Sequence, residues 1–202
     1  MDFPTGTQYR VILADPPWKF QVRRGLSGLA ADQYPCMGVA EIAALPVREV
    51  GASDCALFMW VPAPLLAEGK HVPIFKAWGF RVVTIALVWN KTWPNGRPYS
   101  GLGFYTRSGA EMCVLGIRGK RPRRPEATNV LQVITAPRVA RHSTKPEAAY
   151  GRIEALYDGP YLELFARQRR ASWDAWGNEL DTPAENGTIG TETRRPGVII
   201  GQ

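Results

Sequence analysis

Histidine and cysteine are scarce in this chain of 202 residues, with two of the first and three of the second. His71 and His142 stand apart, with no Cys or His companion at metal-ligand spacing, so no structural zinc or other metal is expected. Cys36, Cys55 and Cys113 are odd in number and widely spaced. They read as reduced, buried thiols of a cytoplasmic protein rather than a disulfide framework. No apolar run approaches the roughly 20 residues of a membrane-spanning helix. Residues 1–6 lack the basic-then-apolar pattern of a signal peptide. No G-x-G-x-x-G follows an apolar run and no P-loop occurs, which disfavours a nicotinamide dehydrogenase and a nucleotide hydrolase. Acids are outnumbered, 18 against 25 basic residues, giving a net charge of +7 and a pI near 9.6. That balance is compatible with a polyanionic partner but does not single one out.

What is present is concentrated in Asp15-Pro16-Pro17-Trp18, which follows the apolar run Tyr9 to Ala14. The run reads as a buried strand, and open α/β sheets bind ligands beyond the carboxyl ends of their strands. Adenine N6 is a poor nucleophile because its lone pair is delocalised into the ring. A carboxylate at Asp15 can accept a hydrogen bond from that amine and favour charge developing there. The Pro16 carbonyl can accept the second N–H. Two prolines hold these acceptors stiffly, since φ is fixed. Trp18 offers a face for a base. The plain alternative is an Asp-Pro turn with a core tryptophan.

Along the chain, apolar runs alternate with helical patterns. Strands are expected at 9–14, 55–61, 80–89, 111–117, 129–135, 161–165 and 173–176, and helices at 39–45, 64–78 and 145–157. Pro73 should kink or divide the second helix. Residues 90–108 read as a long polar, Gly-rich loop, of the kind that usually binds or covers something. This alternation predicts an α/β fold, with a mixed, mostly parallel sheet flanked by helices. Residues 1–180 form one domain, and 181–202, rich in Thr, Gly, Glu and Pro, a flexible tail.

Basic residues cluster in three loops: Arg23 and Arg24; Arg118, Lys120, Arg121, Arg123 and Arg124; and Arg138 with Arg141. Phosphate contacts are the favoured reading, and solvated charge the alternative. Lys145, at a helix entry, can hold a small anionic group, aided by the helix N-terminus. Asn178 and Glu179 can hydrogen-bond an adenosine or its ribose.

Taken together, Asp15-Pro-Pro-Trp18, Trp89-Asn-Lys91, Lys145-Pro146 with Tyr150, Glu163-Leu-Phe-Ala-Arg167 and Trp176-Gly-Asn-Glu179 resemble the MT-A70 family of S-adenosylmethionine-dependent adenine N6-methyltransferases. The resemblance runs over about residues 9–180, in order. It implies a class I (Rossmann-like) methyltransferase fold. It makes Asp15, Pro16, Pro17 and Trp18 the catalytic tetrad. Asp15, Pro17, Lys145, Phe165, Arg167, Asn178 and Glu179 become cofactor-binding residues. Tyr34 falls beside the target base with Trp18, and Lys91, a substrate contact, falls with Glu111 near the substrate loops. Arg121, Arg123 and Arg124 join them as substrate contacts through the basic-loop reading. Family members usually place a strand before the tetrad that contributes to the cofactor's adenine pocket; with fourteen residues before Asp15, that part of the pocket is expected to be reduced or to be built from Gly6, Thr7 and Gln8.

The expected reaction is direct displacement from S-adenosylmethionine to adenine N6. DNA is favoured, in a bacterial or phage-infected cell, because the chain is compact and carries no RNA-binding module. The alternatives are an RNA adenine methyltransferase and a catalytically silent nucleic-acid-binding subunit. Protein glutamine methylation is disfavoured, since the related tetrad ends in tyrosine. No membrane partner is expected, and the chain is a monomer or a homodimer.

Overall fold

The computed structural model describes residues 2–19, 36–101, 103, 105–119, 125–138, 144–178 and 180. Seven strands form one sheet. They are β1 (Tyr9–Ala14), β2 (Gly51–Val61), β3 (Arg81–Thr92), β4 (Ala110–Arg118), β5 (Val133–Pro137), β6 (Tyr161–Leu164) and β7 (Trp173–Trp176). Their order is β5-β3-β4-β2-β1-β6-β7. β1 is parallel to β2 and β6, β6 to β7, and β3 to β5, while β4 is antiparallel to both its neighbours. Six strands therefore end at one edge of the sheet, the carboxyl edge, where β4 begins.

Alternation along the strands divides the core in two. Ile12, Ala14, Leu57 and Met59 face α1 (Val39–Ala43), α2 (Val47–Val50), α3 (Ala63–Ala67) and α4 (Val72–Ala77). Val11, Leu13, Phe58 and Trp60 face α5 (Glu147–Leu156), which returns Ala149, Tyr150 and Ile153. Each of the larger aliphatic side chains and Phe58 contributes about 1.5–3 kcal/mol by leaving water. Apolar residues at both parities make β1 and β2 continuous runs, as strands covered on both faces must be.

The helix expected over 64–78 is two helices. α3 ends before Gly69, whose φ of +69° lies in the left-handed region, and Pro73 falls in the first turn of α4, where its missing N–H costs nothing. The one-turn α2 was not foreseen. The strand expected at 129–135 is shifted to Val133–Pro137. Leu131 and Val133 are exposed and only Ile134 of this edge strand is buried, so their apolar character carried no burial signal.

The stretch 90–108 is not wholly loop. β3 runs on to Thr92, and the chain turns back through Pro94-Asn95-Gly96. The Gly96 N–H donates to the Trp93 carbonyl at 2.9 Å, and Gly96 has φ +80°. This is the three-residue hairpin chemistry of a tight turn followed by a left-handed glycine. Bridges Thr92–Pro98 and Gly101–Ser108 continue the pairing.

Arg118 departs from the phosphate reading. It ends β4 at the amino edge, and its Nη1 donates to the carbonyls of Arg48 (3.0 Å) and Gly51 (2.7 Å). Nη2 donates to the Trp78 carbonyl, and the guanidinium stacks on Phe80 at 4.6 Å. Three of its five donors are spent joining α2, β2 and the end of α4. The thiols Cys55 and Cys113 are free and buried, as expected, and Cys36 is half-buried. Burial pushes the Cys55 thiol up to about 12.

Candidate active site

Asp15 leaves the carboxyl end of β1, its N–H donating to the Leu164 carbonyl at 3.4 Å. The chain leaves β1 toward α1, α2 and β2, and leaves β6 toward β7 on the other side. The crevice between β1 and β6 is therefore a topological switch point, where open α/β sheets place their ligands. Asp15 shares the parity of Val11 and Leu13 and so points to the α5 face.

The Pro16-Pro17-Trp18 turn is tight. The Trp18 N–H donates to the Pro16 carbonyl at 2.8 Å across Pro17, whose fixed φ suits that three-residue turn. The Pro17 carbonyl accepts the Met37 N–H at 2.7 Å. Trp18 itself is only 7% exposed, and its indole Nε1 donates to the Trp60 carbonyl at 2.9 Å. The ring packs into the α1–α4 face of the core. The structure places it as the anchor of the turn rather than as an open platform for a base.

Lys145 sits just before Pro146, the N-cap of α5. Its Nζ lies 2.5 Å from Asp15 Oδ2 and 3.2 Å from Glu111 Oε2, with the side chain 5% exposed. Glu111, near the start of β4, also accepts from Lys91 at the end of β3. Four charges from β1, α5, β4 and β3 thus alternate in sign along the carboxyl edge. Burial alone would lower the Lys145 pKa; Asp15 and Glu111 reverse this and hold it above the ordinary value. Burial would likewise raise Glu111, and the two ammoniums hold it below the ordinary carboxylate value.

Glu163 lies on β6 opposite Leu13 and on the same face. It is buried; Tyr150 Oη donates to its Oε1 at 2.8 Å, and its Oε2 has no hydrogen-bond partner. Burial pushes this carboxyl up, the Tyr150 hydroxyl and Arg170 pull it back, and Asp15 adds to the rise. The Arg170 guanidinium stacks on Tyr150 at 3.6 Å and pairs with Glu147.

Beyond β6, Phe165 has φ +63°. The Ala166 N–H donates to the Trp176 carbonyl at 2.9 Å, and Gly177 lies so close that a Cβ there would meet the Ala166 oxygen at 2.2 Å. Only glycine permits this approach. It brings half-buried Arg167 and exposed Asn178 to the carboxyl ends of β6 and β7. The Phe165 ring packs edge-on against Trp176 at 5.7 Å.

Of the residues singled out from sequence, the structure joins Asp15, Lys145 and Lys91 through Glu111, and lines up Phe165, Arg167 and Asn178 on the same edge. Tyr34, Arg121, Arg123, Arg124 and Glu179 lie outside the described residues. Both roots of the 119–125 loop are at the amino edge: Arg118 ends β4 there, and the Glu126 N–H donates to the Leu156 carbonyl at the far end of α5. Seven strand residues at about 3.4 Å each put that edge roughly 24 Å from Glu111. Sequence reasoning missed Arg170, the bridging role of Glu111 and the burial of Glu163. An acid on a four-residue strand of otherwise apolar character was the available signal for Glu163.

Comparison with known proteins decides the family. The MT-A70 family description matches residues 9–179. The chain belongs to the MT-A70 family. It is an adenine N6-methyltransferase by class, with S-adenosylmethionine as methyl donor and nucleic acid as substrate. It is 33% identical to the type II methyltransferase M.MunI of Mycoplasma sp over 191 residues, covering 86% of this chain and 78% of that protein. It is 29% identical to the human N(6)-adenosine-methyltransferase catalytic subunit METTL3, covering 86% of this chain and 28% of that protein. For the human N(6)-adenine-specific methyltransferase METTL4 the figures are 29%, 85% and 37%. The chain thus spans most of the bacterial relative and little more than a third at most of the two human ones. Among the described residues no helix is long and apolar enough to cross a membrane.

The donor set fits the cofactor. Its carboxylate calls for a buried cation, met by Lys145. Its ammonium and sulfonium call for acceptors, met by Asp15 and the orphaned Glu163 Oε2. Its ribose hydroxyls call for polar groups at the ends of β6 and β7, where Arg167 and Asn178 stand.

Proposed function

We propose that this MT-A70 protein methylates adenine N6 in DNA, in the cytoplasm of a bacterial cell, with the reacting atoms held at the Asp15–Lys145 pair. The observation that carries the reading is that pair's place: a carboxylate and a buried ammonium 2.5 Å apart at the switch point of the sheet. DNA is favoured over RNA because the chain spans 78% of the type II methyltransferase but a small part of the N(6)-adenosine-methyltransferases.

S-adenosylmethionine supplies an electrophilic methyl group on a sulfonium. Asp15 accepts a hydrogen bond from the adenine amine and steadies the positive charge that grows on it as the lone pair localises. The Pro16 carbonyl, which already accepts the Trp18 N–H, has a second lone pair for the other amine proton. Lys145 holds the cofactor carboxylate and orients Asp15. Glu111 and Lys91 hold Lys145 in place. Phe165, Arg167, Asn178 and Glu179 line the cofactor, and Tyr34 and Lys91 stand beside the target base. In a duplex the base must leave the stack first, at a cost of a few kcal/mol, so single strands or mismatches are the easier substrates. Arg121, Arg123 and Arg124 contact phosphates of the polymer.

The test is transfer of a tritiated methyl group to matched DNA and RNA oligonucleotides, single- and double-stranded, by wild type and Asp15→Ala. Label in DNA N6-methyladenine that vanishes with Asp15→Ala supports the reading. Label in RNA alone transfers the substrate to RNA, and no label in either makes the chain a silent subunit.

A further inference from the structure

The hairpin that extends β3 carries two aromatic rings, Trp93 exposed and Tyr99 half-buried. Pro94-Asn95-Gly96 makes the turn, and the Trp93 N–H closes it on the Arg97 carbonyl at 2.8 Å. Trp93 is nevertheless 45% exposed, and its ring meets Tyr99 edge-on at 5.0 Å. Cations surround the pair. The Arg138 guanidinium lies 5.4 Å from the Tyr99 ring centroid, and Lys91 Nζ lies 6.0 Å from it. Arg138 is fixed there by its own N–H, which donates to the Thr92 carbonyl at 2.9 Å. Arg97 and Arg107 add charge, and residues 90–109 contain no acid. The cluster is tied to the reaction site, because Lys91 pairs with Glu111, which holds Lys145 beside Asp15.

We propose that Trp93, Tyr99 and Arg138 form a platform on which a nucleotide flanking the target adenine stacks, with its phosphate on Arg138. The partner is a single-stranded or locally opened polynucleotide. Every base has a π-face, so aromatic rings among cations bind such strands with little regard to sequence. The hydrogen-bonded hairpin holds the rings before the strand arrives, which spares the entropy of ordering them. A base extruded from a stack also leaves its neighbour in need of a new surface, and the platform supplies one next to Lys91. The proposal rests on the nucleic-acid reading of the Asp15 site and adds to it a second, separate contact.

The test compares wild type, Trp93→Ala/Tyr99→Ala and Trp93→Phe. Binding of a fluorescein-labelled fifteen-nucleotide single-stranded DNA with one adenine is followed by anisotropy, and methyl transfer to it by tritium incorporation. Stacking on one base is worth about 5- to 150-fold in affinity. The double variant should therefore raise Kd and KM by about tenfold or more, leave kcat and cofactor affinity unchanged, and melt at the wild-type temperature. Trp93→Phe, which keeps a π-face, should stay within about threefold of wild type. An unchanged Kd in the folded double variant overturns the platform. So does a variant whose only change is loss of a dimer on size-exclusion chromatography, which gives this face to a second copy of the chain. If wild type binds the strand but methylates no adenine, while the double variant still loses affinity, the platform stands and the methyl-transfer reading falls.

Discussion

One buried ammonium joins the tip of β1 to the start of β4: Lys145 Nζ is 2.5 Å from Asp15 Oδ2 and 3.2 Å from Glu111 Oε2. Asp15 is therefore oriented before any substrate arrives. Asp15→Asn keeps the shape of the side chain and removes its charge. Loss of one preorganised electrostatic contact to a transition state costs about 10²–10³ in kcat. Asp15→Asn should fall in that range in the tritium assay, with a far-ultraviolet circular dichroism spectrum like that of wild type. A kcat within a few-fold of wild type would remove Asp15 from the chemistry.

Glu111 holds two ammoniums, and the consequence is a defined pH window. Its folded pKa lies below its ordinary 4.5, so its contribution to stability is complete above that value and is lost as the pH falls through the depressed one. Removing one partner from a buried charge network costs about 3–5 kcal/mol. Here the carboxylate is partly exposed and each lysine is long, so about 1–2 kcal/mol is the expectation for Glu111→Gln at pH 7. Urea unfolding at pH 7 and at pH 3.5 should show the gap between variant and wild type narrowing at the lower pH. A gap that stays constant means Glu111 stabilises by packing rather than charge.

The parts of the fold that position this network were legible because their signals were local. An apolar run before Asp-Pro-Pro-Trp fixed β1 to the residue, and Pro146 marked the entry to α5. The network itself was not legible, since it joins residues 15, 91, 111 and 145 through a sheet order that the sequence does not display. Strand parity would have placed Glu163 on the face of Leu13, but only once β6 was known to lie beside β1. The role of Arg118 was misread for the same reason. Its neighbours in sequence are basic and loop-forming, while its partners Arg48, Gly51 and Trp78 are brought to it by the β2–β4 pairing. Trp18 left two readings open, a face for a base or a core ring, because the Trp60 carbonyl that captures its indole lies on another strand.

Glu163 gives a prediction of the opposite sign. Its folded pKa is raised above the ordinary 4.5, so the folded state is penalised once the pH exceeds that value and the penalty is absent at lower pH. Glu163→Gln keeps an oxygen for the Tyr150 hydroxyl and deletes the buried charge. Its melting temperature should equal or exceed that of wild type at pH 8, with a smaller advantage at pH 4. A variant less stable than wild type at pH 8 would mean that Arg170 and Lys145 compensate the charge fully. Cofactor affinity should nonetheless weaken, because an amide is a poorer partner for the cofactor ammonium than a carboxylate, and isothermal titration reads the two effects separately.

Arg118 and the arginines that follow it should behave differently although they are neighbours. Arg118 donates to three backbone carbonyls and stacks on Phe80, a geometry that needs a planar fork. Arg118→Lys cannot span those acceptors, and leaving the part-buried Gly51 and Trp78 carbonyls without their partner costs about 1–3 kcal/mol. It should lower the urea midpoint without altering the salt dependence of DNA binding. Neutralising Arg121, Arg123 and Arg124 should do the reverse: stability stays within about 0.5 kcal/mol, as for most surface changes. The slope of log Kd against log salt on duplex DNA should shrink by about 0.9 for each phosphate that is no longer neutralised. A slope that does not change assigns those three arginines to solvated surface charge.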